Sequence, residues 1–211
     1  MALRREKKNR TAQIMIWIIA LIMVASVFEV VLFYNTSSGG LSYNSFSFTQ
    51  TQQGQYVTVV DGKRLTFVSF PSDVASVPFD SGIPALMKGA QIVITTFDPG
   101  NLSSDQLMIM DYIRFDLSQK IGDKAFSGVM AKDDRYPLPL ITCTNASSYA
   151  PIIVLLPVNE TAIAREGNCI FLFGTQQGVL RAYDRLMYGY YGIIPDYSND
   201  TNATGTSNTT Y

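Results

Sequence analysis

Histidine is absent from the 211 residues, and charge is scarce: 16 Lys+Arg face 17 Asp+Glu, 16% of the chain, for a net charge of -1. Without imidazole, Ser-His-Asp and Cys-His mechanisms are excluded, and a catalytic zinc site loses its usual ligands. Without a basic face to neutralise phosphates and release counterions, the electrostatic case for nucleic acid falls away. Cysteine is limited to Cys143 and Cys169, with no Cys-x-x-Cys spacing, so a redox-active pair is not expected. No cofactor, metal ligand or catalytic residue is assigned from the sequence.

What is present is apolar: 47% of the residues are hydrophobic. Arg4, Arg5, Lys7, Lys8 and Arg10 precede a run from Ile14 to Phe33 interrupted only by Ser26 and Glu29. Twenty helical residues at about 1.5 Å each span about 30 Å, the thickness of a bilayer's hydrocarbon core. The run therefore predicts a transmembrane helix over residues 14–34, with a basic cytoplasmic N-terminus at 1–13 and the remainder extracytoplasmic by the positive-inside rule. Trp17 fits an interfacial aromatic, and Glu29 lies near the outer end, within reach of headgroup water. A cleavable signal peptide, with Val24 and Ser26 before the cut, is the competing reading. Both export the rest of the chain.

Asparagine supports export independently. Eight of the ten Asn stand in Asn-x-Ser/Thr, where composition alone places about 1.7. Asn9 is on the predicted cytoplasmic side. Asn35, Asn101, Asn145, Asn159, Asn199, Asn202 and Asn208 are candidates for N-glycosylation, although polar loops also generate such triplets by composition. In an oxidising compartment, Cys143 and Cys169 can pair and close a loop worth about 3.5 kcal/mol in the chain-entropy model. Two buried free thiols are the alternative.

After a polar stretch at 35–55, read as a juxtamembrane stalk, a compact domain is expected over 56–195. Tyr56–Val60 and Leu65–Phe70 flank Asp61-Gly62, a hairpin signal. Residues 71–89 read as loop with a short helical turn near Pro84–Lys88. Ala90–Phe97 reads as a strand, and Ser103 or Ser104 caps a helix to about Ile121 that turns Leu107, Met110, Ile113 and Leu117 inward. Asp111 beside Arg114 and Asp116 beside Lys120 fall on its wetter side. Phe126–Ala131, Leu138–Thr142, Pro151–Leu156, Thr161–Arg165 and Cys169–Phe173 read as strands, and Thr175 caps a closing helix to about Tyr191. Residues 196–211 lack any apolar run and read as a polar, disordered tail. The expected fold class is α+β: an N-terminal transmembrane helix, then one domain with a mixed β-sheet and about two packed helices, largely on one face.

Chemistry is sparse. Gly174-x-x-x-Gly178 sits where an anion cradle would, between strand and helix, yet lacks the phosphate-loop and dinucleotide patterns. Asp98 ends a strand, where a loop cap is the simpler role. Asp133 and Asp134, with Asp98 or Glu166 as partner, would be needed for a carboxylate-dependent glycan hydrolase, and a solvated turn at Asp133–Arg135 is the plainer reading. Tyr183, Tyr188, Tyr190 and Tyr191 suit either a partner platform or packing, and Asp184-Arg185 a surface ion pair.

The segment Pro151–Ile194, with Asn159-Glu160-Thr161, Gly167-Asn168-Cys169-Ile170 and Asp184-Arg185-Leu186, resembles a stretch of small uncharacterised membrane-anchored proteins of archaea, as do Phe67–Ala75 and Ile141-Thr142-Cys143. The resemblance implies an exported, anchored topology and a pairing of the two cysteines, and no activity. The sequence thus points to a single-pass membrane protein with its domain outside, acting as a non-enzymatic envelope or protein-interaction module with a protein partner. A carboxylate-dependent hydrolase of glycans is the alternative.

Overall fold

A computed structural model describes residues 14–26 and 40–195, and the chain divides into two units at Leu41/Ser42. Within the first unit, residues 14–26 form helix α1, with the side chains of Ile14 to Val24 exposed. The transmembrane expectation for residues 14–34 is corrected here: no described helix is long and apolar enough to cross a membrane. The basic segment 1–13, the part of the apolar run that holds Glu29, and the tail 196–211 lie outside the described residues.

The second unit is α+β, with two sheets. Sheet 1 runs in the order β1 (Leu41–Tyr43), β2 (Phe46–Gln50), β3 (Tyr56–Val60) and β4 (Lys63–Phe67). β1 and β2 thus form inside the stretch expected to be a stalk, because Phe46 and Phe48 find a core to enter: Phe48 is buried and meets the rings of Phe70 and Tyr188. β3 and β4 pair antiparallel from Tyr56↔Phe67 to Val60↔Lys63. Their two-residue turn places both Asp61 and Gly62 at positive φ, the combination a twisted hairpin requires.

Sheet 2 has the order β6-β5-β7-β9-β8, formed by β5 (Val93–Thr96), β6 (Ala125–Ser127), β7 (Ile152–Pro157), β8 (Ala162–Glu166) and β9 (Cys169–Gly174). β5, β6, β7 and β9 are mutually parallel, and β8 returns antiparallel on β9 through a turn at Gly167. Both faces of β7 are covered, which is why it reads as an unbroken apolar run rather than an alternating one. Ile153 and Leu155 enter the main core with the helices, while Ile152 and Val154 join Ile94 and Cys169 beneath the loop 128–150. A disulfide between Cys143 and Cys169 staples that loop to β9. Leu138–Thr142, expected to be a strand, makes only the Val129↔Leu140 bridge, because it crosses the sheet face instead of extending its edge.

The helices of this unit are α2 (Pro71–Val74), α3 (Gly82–Gly89), α4 (Ser104–Ile121) and α5 (Gln176–Tyr190), and α2, α3 and α4 all pack on α5. α4 starts with a reciprocal capping box, Ser103 and Gln106 each bonding the other's backbone N–H. α5 starts on Thr175, whose hydroxyl accepts from the Gly178 N–H. The expectation of a single sheet with helices largely on one face is therefore corrected. α5 has sheet 2 on one side, and Phe67 at the end of β4, with Val68 and Ser69 just after it, reaches it as well.

The Gly174-x-x-x-Gly178 spacing is explained by close packing. A Cβ on Gly174 would lie 2.3 Å from backbone atoms of Gly178 and Val179, where nothing flexible can yield. Gly174→Ala is expected to destabilise the domain by more than about 2 kcal/mol, as an overpacked backbone does. Gly89→Ala, which meets nothing within 4 Å, is expected to be neutral or stabilising by up to about 1 kcal/mol. Urea titrations of the two variants check the contrast.

Candidate functional site

The parallel strands β5, β7 and β9 bring their carboxyl ends to one edge of sheet 2. From β5 the chain crosses to β6 on one side, and from β7 it proceeds to β9 on the other, so the strand order reverses between them. Outside the carboxyl ends at such a reversal is where open α/β sheets leave a crevice. One of about 460 Å³ is present there. Pro157 and Val158, at and just after the end of β7, form one wall, and Asn159 sits beside them. The start of α4 supplies Ser103 and Gln106, and the start of α5 supplies Thr175, Gln176 and Gln177. Gln106 commits its Oε1 to the Ser103 N–H at 2.9 Å. Hydroxyl and carboxamide groups thus dominate the lining, which includes neither a carboxylate nor a cation.

The carboxylates singled out in the sequence are occupied locally. Asp98 accepts from the Gly100 N–H at 3.0 Å, closing its own loop. Asp133 accepts from the Arg135 N–H and from its guanidinium, whose bonds hold the Asp133 carboxyl down at about 2. Asp134 is exposed, and Glu166 is exposed at the β8–β9 hairpin opposite Cys169. Arg135 also reaches the Pro99 carbonyl at 2.8 Å, so this charged turn pins the loop after β5. Of the candidate glycosylation sites, Asn101, Asn145 and Asn159 are exposed. Asn145 has its Oδ1 engaged by the Thr142 N–H. Asn35, Asn199, Asn202 and Asn208 lie outside the described residues.

The tyrosines serve packing, each with its hydroxyl end satisfied or at the surface. Tyr183 donates to Asp116 at 2.7 Å, Tyr188 to the Ser69 carbonyl at 2.6 Å, and Tyr191 to the Lys120 carbonyl at 2.6 Å. The ring of Tyr190 lies under Lys88. Two placements on these helices differ from their sequence reading. Asp116 and Lys120 were expected on the wet side of α4, yet Lys120 is 4% exposed, bonded to Asp116 and set over the rings of Phe67 and Tyr183. Asp184 and Arg185 were expected as a surface pair, yet both are buried. Arg185 stacks on Phe79, and Asp184 accepts from the Val68 and Ser69 N–H groups at 3.0 and 2.7 Å. Helical periodicity misses Asp184 and Arg185 because it assumes one wet face, whereas α5 is buried all round from Ala182 to Gly189.

No family model, no curated protein and no solved structure matches the chain.

Burial raises the Asp184 carboxyl from 3.8 to about 6, against the lowering pull of Lys120 and of the Ser69 hydrogen bond. Because the folded value lies above the unfolded one, this group's contribution to stability is full below about pH 4 and is lost as pH rises through 6, up to about 3 kcal/mol in all. Denaturant midpoints at intervals from pH 4 to 7 are expected to show that decline in the parent chain. Asp184→Asn, which keeps an oxygen for both N–H groups and cannot ionise, is expected to flatten it.

Proposed function

We propose that the chain is an exported, non-enzymatic interaction module that docks a protein partner through the outward face of α4. One observation carries this reading. α4 turns Leu107, Met110, Ile113 and Leu117 into the core, and still presents Met108 (69% exposed) and Phe115 (67% exposed) outward, with Tyr112 half-buried between them. These three follow the i, i+4, i+7 spacing of one helix face. Side chains of this size at the centre of an exposed helix face are the usual anchors of interfaces.

The partner chemistry that fits is a protein groove or helix face of apolar character, since the face carries few charges: Asp111 bordering it is already drawn to Arg114, at 3.6 Å. Two features support an extracytoplasmic setting. The Cys143–Cys169 bridge belongs to an oxidising compartment, and Asn101, Asn145 and Asn159 stand exposed in their acceptor triplets.

Phe115→Glu and Met108→Lys alter exposed positions and are expected to change folding stability by no more than about 0.5 kcal/mol. In affinity purification from native cells, with a photo-crosslinker at position 119 to capture the partner, each substitution is expected to weaken capture about thirtyfold, the effect of losing one anchor residue. Unchanged capture by both variants sinks the α4 assignment. Alkylation of intact cells followed by denaturation is expected to leave Cys143 and Cys169 unlabelled, and labelled thiols sink the export.

A further inference from the structure

The crevice at the carboxyl edge of sheet 2 is separate from the outward face of α4 and has a chemistry of its own. Ser103, Gln106, Asn159, Thr175, Gln176 and Gln177 each carry a hydroxyl or a carboxamide, groups that both donate and accept; Ser103 Oγ, Gln106 Oε1 and Thr175 Oγ1 already accept a helix-cap N–H and keep their donor hydrogens. A sugar hydroxyl does the same. A phosphate or carboxylate entering the crevice meets the amino ends of α4 and α5, whose partial positive charge attracts it, but no cationic side chain, and an ammonium meets no carboxylate among the lining residues, so either ion gives up its water without a full opposite charge. Asp105 in the first turn of α4 and Glu160 beside Asn159 add to the penalty for an anion. Pro157 and Val158 provide an apolar wall suited to the C–H face of a pyranose ring. The volume of about 460 Å³ lies within the range of small-molecule sites.

We propose that this crevice is a binding site for a neutral saccharide. That chemistry has two sources. One is a free or partner-borne glycan. The other is a glycan on Asn159 itself, since that asparagine lines the crevice and heads the triplet Asn159-Glu160-Thr161. Attachment there uses a lipid-phosphate-linked sugar as donor: the bond from Asn159 Nδ2 to the anomeric carbon forms, the C–O bond to phosphate breaks, the lipid phosphate leaves with that electron pair, and one amide proton passes to a base. This inference does not rest on the docking role of α4.

The test uses the full chain with its disulfide intact. Protein from a host without N-glycosylation is titrated with maltotriose, with N,N′-diacetylchitobiose and, separately, with inorganic phosphate, while side-chain amide NMR signals of Gln106, Gln176, Gln177 and Asn159 are followed. Saturable shifts of these signals with either sugar and none with phosphate are expected for the free source. The triple variant Gln106→Ala/Gln176→Ala/Gln177→Ala, altered only at exposed or half-exposed positions, is then expected to bind about a hundredfold more weakly, as three lost neutral hydrogen bonds imply.

For the attached source, the free sugars leave the signals unmoved. Chain secreted from a glycosylating host instead carries a glycan at Asn159, found by peptide mass spectrometry, that is enzymatically removed from the native chain at least about tenfold more slowly than from the triple variant. Phosphate producing the shifts overturns the proposal. So does a chain in which neither sugar moves the signals and Asn159 is bare or its glycan is equally labile in both proteins. Intact disulfide in that last sample separates failure of the crevice from failure of export.

Discussion

From Ala182 to Gly189 helix α5 is enclosed on every side, and the polar groups it carries into that enclosure bind the rest of the domain around it. Asp184, 1% exposed, receives the N–H groups of Val68 and Ser69 where β4 ends, and Tyr188 on the next turn gives its hydroxyl to the Ser69 carbonyl and stacks its ring on Phe67 at 4.1 Å. Without these acceptors and donors, the backbone leaving sheet 1 would lose three hydrogen bonds, each worth about 0.5–1.5 kcal/mol. Sheet 1 is thereby held to the same helix that packs along β7, β8 and β9.

A second tie crosses from α4. Lys120 is held by Asp116, which also accepts from Tyr183 on α5, and the Lys120 ammonium sits over two aromatic rings. The carbonyl of the same residue receives Lys63 from sheet 1 and Tyr191 from the end of α5. Ionic and aromatic groups that look functional in isolation are thus used to join elements. The crevice and the outward face of α4 are two places in the domain where hydrogen-bonding or apolar groups face solvent together. They lie on one helix, the crevice at its first turn and the apolar face along its middle, so the capping box at Ser103 and Gln106 positions both.

Local signals held where the physics is local. The Asp61-Gly62 turn, the Ser103 and Thr175 caps and the β8–β9 hairpin form as their turn and cap chemistry requires, because each depends on hydrogen bonds within a few residues. The disulfide joins the two cysteines placed in apolar stretches. The membrane-spanning expectation is not met among the described residues, where no helix is long and apolar enough to cross. The stalk expectation failed because Phe46 and Phe48 lie in a polar stretch, and the burial of Phe48 depends on rings contributed from Phe70 and Tyr188, far along the chain.

The residues at the crevice show the same division. Ser103, Thr175 and Asn159 are legible one at a time, as two helix caps and an acceptor triplet, but Gln106, Gln176 and Gln177 carry no pattern that marks them as neighbours. The order of amino acids alone determined the turns, the caps, the apolar run of β7 and the chemistry available, including the absence of imidazole. Only the tertiary structure decided that Asp184 and Lys120 are interior, that α4 keeps apolar side chains outward, and that three separate chain segments meet at one edge. The reason is that burial and proximity are properties of every layer packed around a residue, and those layers come from parts of the chain tens of residues away.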